Sequence, residues 1–305
     1  MELPPHDFES CASASSATAA YNQYDLDYKF QSALSIQALR YNMEAMATII
    51  SFCNQKGGVG KTTTVINTAA YLASRGKKVL VIDLDPQANA TSGLGFPQEN
   101  VKMNLYHALL EGAHPQETII KTNIENYHIL PASVDLAGAA VELISAPQRE
   151  FRLFETVQKI SSDYDFILID CPPSLGILTI NGLIASQKLI IPVQCEYYAL
   201  EGLSQLLRTI ALVKENISPH IDIMGAVLTM YDKRNNLAHE VASEVRKNFP
   251  GHVFQAVIPR SVSLAEAPSY GQTIMEYKWW SRGGMAYKQL AEEILEQVQK
   301  SNIKM

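Results

Sequence analysis

No stretch of this 305-residue chain approaches the roughly 18 consecutive apolar residues of a membrane-spanning helix. The N-terminus also lacks a basic patch followed by an apolar run. It carries acids with Ser and Ala, which argues against a secretory signal. Cysteine is scarce, with four residues at 11, 53, 171 and 195 and no C-x-x-C pair. That spacing leaves no sign of a disulfide framework or a zinc ribbon, and the cysteines read as reduced, mostly buried thiols. An excess of positive charge is missing too: the formal net charge is −6, which excludes a globally basic nucleic-acid binder. The charge is uneven. Residues 1–45 and 46–204 each carry a net −4, whereas residues 205–305 hold 12 basic and 10 acidic side chains. A local basic patch on the C-terminal third therefore stays open.

What is present is enough apolar sequence, 47%, for one large or two small domains with a real core. Residues 1–45 stand apart. Ser10 to Ala20 is only Ser, Ala, Thr and one Cys, a low-complexity stretch that cannot build a core. Leu26–Met43 has the length of a short helix, and Met46, which opens a strong strand, is itself a natural start position. We read 1–45 as a disordered or mis-assigned leader and 46–305 as a single domain.

From Met46 the chain alternates. Strand-like runs at Ile49–Cys53, Val79–Leu84, His128–Pro131, Phe166–Asp170, Leu189–Val193, Ile223–Leu228 and Val253–Ile258 are separated by helix-length segments. These include Thr62–Ser74, Phe151–Ile160, Leu200–Lys214 and Leu237–Asn248. Gly283-Gly284 reads as a break before a closing helix, Met285–Gln299. Near-continuous Val/Ile/Leu strands alternating with helices predict an α/β fold: a mostly parallel central sheet flanked by helices on both faces.

Three segments carry chemistry. Asn54-Gln-Lys-Gly-Gly-Val-Gly-Lys-Thr-Thr-Thr64 follows a strand and opens a helix. Its glycines let backbone N–H groups turn inward around phosphate oxygens, and the helix N-terminus adds positive charge. Lys61 can reach the β- and γ-phosphates, and the Thr62 hydroxyl can ligate Mg²⁺. The ordinary P-loop pattern fails, because Gln55 stands where it needs Gly; a lysine-first variant beginning at Lys56 fits. The second segment, Val79–Thr91, is a buried strand ending in Asp83 and Asp85. A carboxylate there can orient a water for attack on a γ-phosphate. The third, Tyr164–Ser174, runs four apolar residues into Asp170, a Walker-B-type strand whose carboxylate holds Mg²⁺ directly or through water.

Together these segments resemble the ParA/Soj partition ATPases, of the deviant-Walker-A class that also includes MinD. The blocks Ile191–Leu203, Leu228–Leu237 and Val257–Gly271 extend the resemblance over about 46–300. It implies that ATP closes two subunits face to face into a homodimer. Lys56 then reaches the partner's phosphates and Gly57 leaves room at the interface. Gly57, Gly58, Val59, Gly60, Lys61, Thr62 and Thr63 line the phosphates. Asp85 positions the hydrolytic water, and Pro259 and Ser261 lie beside the adenine. It further implies non-specific DNA binding through basic residues such as Arg234 and Arg282, a ParB-like centromere-binding partner, and a cytoplasmic, nucleoid-associated location.

The sequence departs from that family at two places. Ser263 stands where a basic residue is frequent, and Lys278-Trp279-Trp280-Ser281 replaces a stretch usually built on Asp-Pro-Arg-Ser-Arg. The tryptophans are expected to pack under a loop. The alternative is a MinD-like, membrane-associated positioning ATPase. That needs a basic amphipathic C-terminal helix, and the tail is amphipathic but carries three glutamates. A cluster-carrier enzyme would need cysteines paired at the dimer face, and only Cys171 is available.

Overall fold

Eight strands make one sheet in the computed structural model, which describes residues 47–196 and 199–303. They are β1 (Thr48–Phe52), β2 (Val79–Asp83), β3 (Ile120–Lys121), β4 (Tyr127–Leu130), β5 (Phe166–Asp170), β6 (Lys188–Gln194), β7 (Asp222–Tyr231) and β8 (Val253–Pro259). Their spatial order is β3-β4-β2-β5-β1-β6-β7-β8, and every neighbouring pair is parallel except β3–β4. The seven expected strands are present with ends shifted by a few residues, and β3 is an addition. The leader and the helix expected over 26–43 lie outside the described residues.

The strands read as continuous apolar runs because both faces are covered. Alternate residues point opposite ways. Ile50, Phe52, Val79, Val81, Phe166 and Leu168 join a core with Val65, Ile66, Ala69 and Leu72 of the helix Lys61–Ala73, and with Tyr287, Leu290 and Ile294 of the helix Arg282–Ile303. The other face carries the helices Arg152–Gln158, Ile177–Ala185 and Ala199–Asn216. Gly182 lets its helix sit tight on the sheet: a Cβ there would fall 2.7 Å from Cys171 Sγ and 3.0 Å from Leu84 Cδ2. Cys53, Cys171 and Cys195 are free and buried, and burial raises the Cys53 and Cys195 thiols to about 12.

Two expectations near the C-terminus are corrected. Gly283-Gly284 does not break the chain before the closing helix; both glycines lie in its first turn, and Ser281 Oγ accepts the Gly284 N–H at 3.0 Å. The glycines are there for close packing. A Cβ at 283 would sit 2.8 Å from Leu264, and one at 284 would strike the Trp279 carbonyl. The tryptophans are not packed under a loop. Trp279 and Trp280 are 56% and 61% exposed and meet each other edge to face at 5.8 Å.

Candidate nucleotide site

All parallel strands of the sheet present their C-terminal ends on one edge, and the loops of interest leave from it. β1 sits between β5 and β6, so the loop after it has a neighbour on each side. Asn54 fastens that loop: its Nδ2 donates to the Pro192 carbonyl of β6 at 2.7 Å, and its Oδ1 accepts the Lys56 N–H at 3.0 Å. Thr229, at the end of β7, donates its hydroxyl to the Val59 carbonyl at 2.8 Å.

Gly58 and Gly60 take left-handed backbone, φ +72° and +85°, the conformation glycine adopts without steric cost. At Gly57 a Cβ would meet nothing within 4 Å, so nothing in the described residues requires glycine there. Gly60 precedes the helix Lys61–Ala73, and no side chain caps it. Its first N–H groups are therefore left for a ligand's oxygens. Lys61 is buried and lies along the loop, its Nζ 3.5 Å from the Lys56 carbonyl.

Asp170 ends β5 beside this loop, in register with Phe52 on one side and Asp83 on the other. It is fully buried, and neither of its oxygens makes a well-formed hydrogen bond. Burial, and then the Asp83 charge, raise its pKa well above the usual carboxylate range, while the Thr62 hydroxyl and the Lys61 ammonium pull it down. A buried carboxylate left unpartnered beside a threonine hydroxyl is a donor set that suits a hard divalent cation. Asp83 is differently placed. Its oxygens accept from the Thr91 N–H at 2.8 Å, the Thr91 hydroxyl at 2.7 Å and the Asp85 N–H at 3.3 Å, and burial raises it to about 6. Asp83 thus orders the turn that carries Asp85. Asp85 is buried and accepts the Gln87 N–H at 3.0 Å.

The remaining expected residues lie on neighbouring loops. Pro259 ends β8 in register with Tyr231 of β7. Ser261 precedes the helix Val262–Glu266, which contains Ser263. Arg282 lines a surface groove with Pro259, Trp280 and Lys288. Arg234, 85% exposed, is held by Asp232 through contacts at 2.7 and 3.0 Å. Sequence reasoning assigned no role to Asn54, Thr229, Glu196 or Arg260. Glu196, after β6, pairs with Lys56 at 3.4 Å and with Arg260 at 3.0 Å.

The fold and the loop define the class: a P-loop nucleotide-binding protein of open α/β architecture. Residues 47–223 match the AAA domain family AAA_31. The sporulation initiation inhibitor protein Soj of Bacillus subtilis is 51% identical over 249 residues, 82% of this chain and 98% of Soj. The chromosome partitioning protein ParA of Myxococcus xanthus is 49% identical over 247 residues, 81% of this chain and 87% of ParA. Among solved structures, a cobyrinic acid a,c-diamide synthase from Mycobacterium smegmatis with bound ADP and magnesium superposes with a TM-score of 0.75 at 35% identity, over 84% of this chain and 97% of that one. The chain belongs to the ParA/Soj family of chromosome-partitioning ATPases.

The tail separates this chain from the MinD-like alternative. No helix among the described residues is long and apolar enough to cross a membrane. An interfacial helix would need a free apolar face, whereas Tyr287, Leu290, Ala291 and Ile294 of the C-terminal helix are spent on the core.

Proposed function

We propose that the chain is an ATP-driven dimerising switch for chromosome or plasmid partitioning, with 46–305 as its single ATPase domain. The observation that carries this reading is the unpartnered buried Asp170 beside an uncapped glycine loop. Backbone N–H groups of 57–63 and the Lys61 ammonium bind the phosphates of ATP, and Pro259 and Ser261 flank the base. Thr62 and Asp170 hold Mg²⁺, Asp170 directly or through water. When bound, the ion neutralises charge on the β- and γ-phosphate oxygens. Asp85, fixed by Asp83 and Gln87, orients the attacking water. Lys56 crosses to the partner's phosphates, and Gly57 leaves room where the two subunits meet.

The dimer binds DNA without sequence preference through Arg234 and Arg282. Phosphate contacts need charge rather than base readout, and dimerisation doubles them. A ParB-like partner together with DNA accelerates hydrolysis, and the switch works in the cytoplasm on the nucleoid. The test is the DNA-bound fraction against salt, with a non-hydrolysable ATP analogue and with ADP. Binding should require the analogue and fall steeply with salt. Asp85→Ala should retain ATP and DNA binding while losing hydrolysis by roughly 100-fold or more. Binding that ignores the nucleotide would remove the switch.

A further inference from the structure

One carboxylate holds two cations that come from opposite ends of half the sheet. Glu196 Oε2 lies 3.4 Å from Lys56 Nζ, and Glu196 Oε1 lies 3.0 Å from Arg260 Nη2. Lys56 belongs to the loop after β1 and Arg260 to the loop after β8. The order β1-β6-β7-β8 puts these strands three spacings apart, about 14 Å. Glu196, leaving β6 between them, spans the gap.

We propose that Glu196 is a positioning residue that latches Lys56 within its own subunit, so that dimer closure must first break the Lys56–Glu196 pair. This rests on the reading of Lys56 as the lysine that crosses to the partner. A lysine held in its own subunit is withdrawn from the contact across the interface, so the latch sets the protein concentration at which closure occurs. Arg260 competes for the same carboxylate. It sits between Pro259 and Ser261, which links the loop read as flanking the base to the freedom of Lys56. Both pairs are part-exposed, so each is a weak restraint. A weak restraint suits a switch: it biases the lysine without trapping it, and two copies act in every dimer.

The experiment follows dimerisation against protein concentration by sedimentation, with a non-hydrolysable ATP analogue. Glu196→Gln keeps the shape and removes the charge. It should lower the midpoint by roughly 3- to 20-fold, the combined effect of freeing one exposed pair in each subunit. Arg260→Gln leaves Glu196 to Lys56 alone and should raise the midpoint a few-fold. A second readout looks at the lysine itself: acylation of each lysine in the protein without nucleotide, quantified by mass spectrometry. Glu196→Gln should raise the reactivity of Lys56 several-fold and leave Lys188, paired with Asp222 at 3.0 Å, unchanged. A merely structural loss would not single out Lys56. An unchanged or raised midpoint for Glu196→Gln overturns the latch, and so does a lowered midpoint with no change at Lys56. If the wild type fails to dimerise with the analogue at any concentration, the crossing role of Lys56 falls. A latch with nothing to delay falls with it, even where Lys56 acylation rises.

Discussion

Asp170 stands directly beside Asp83, in register across β5 and β2, yet their surroundings are opposite. Asp83 accepts three hydrogen bonds, while Asp170 makes none that is well formed. Desolvating a carboxylate without a partner costs stability in the free protein, and a divalent cation offsets that cost on binding. Asp170→Asn should therefore raise the melting temperature in chelator by a few degrees, about 1–3 kcal/mol. The same change should abolish the further rise that Mg²⁺ with nucleotide gives the wild type. Thermal melts with and without Mg²⁺ decide it. A variant less stable than wild type in chelator would mean that the charge is compensated within the chain.

Arg234 is exposed, but its guanidinium is engaged by Asp232, whose carboxyl it holds well below the usual range. A DNA phosphate must compete with that carboxylate. Asp232→Asn should therefore strengthen DNA binding in the ATP-bound state, while Arg234→Glu should abolish it without altering nucleotide binding. Removing one cation from a phosphate should reduce the salt slope by about 1. Fluorescence anisotropy with a labelled duplex across a salt series gives both quantities. Equal binding by wild type and Arg234→Glu would remove Arg234 from the DNA surface.

His128 on β4 pairs through Nδ1 with the Tyr164 hydroxyl at 2.9 Å, with the rings edge to face at 5.6 Å. Burial, and then the charges of Lys121 and Lys78, lower its pKa in the folded state. The unfolded chain then binds the proton more readily, so the neutral ring's contribution is fully present above the ordinary histidine value of about 6.5 and is lost as pH falls through the folded value. His128→Phe should keep the ring packing, lose the hydrogen bond and flatten the fall in stability between neutral and mildly acidic pH. Urea unfolding at several pH values tests this. Parallel curves for the two proteins would show that His128 does not titrate in that window.

The features legible in the sequence were those that depend on neighbours along the chain. Buried runs such as Val79–Asp83 and Phe166–Asp170 announce themselves by composition, and the 54–64 segment by its glycines and lysines. β3 escaped because two residues, Ile120 and Lys121, carry no periodicity. Thr229 and Glu196 escaped because their roles depend on partners 170 and 140 residues away. No local signal marks a threonine that will anchor a distant loop. The Gly283-Gly284 pair misled for the converse reason. Glycines that break a chain and glycines that admit a close neighbour look the same until Leu264 and Trp279 are seen against them.

The far edge of the sheet makes a last case. β8 has no strand beyond it, and its pairing with β7 slips: Ala226 and Leu228 stand opposite Val253 and Val257, so β8 carries two extra residues there. The bulge turns consecutive N–H groups outward. Glu293 of the C-terminal helix takes both, Gln255 N–H on Oε2 and Ala256 N–H on Oε1, each at 2.7 Å. One carboxylate thus satisfies two donors that an exposed edge would otherwise offer to another chain. Glu293→Ala should cost about 1–3 kcal/mol in urea unfolding, because the change strands two backbone donors. It should also promote association on mild heating, when the edge loosens. Glu293→Gln keeps one good acceptor and should recover about half of the loss. Unfolding midpoints combined with light scattering separate the two effects. A Glu293→Ala protein as stable and as monomeric as wild type would show that water serves those N–H groups equally well.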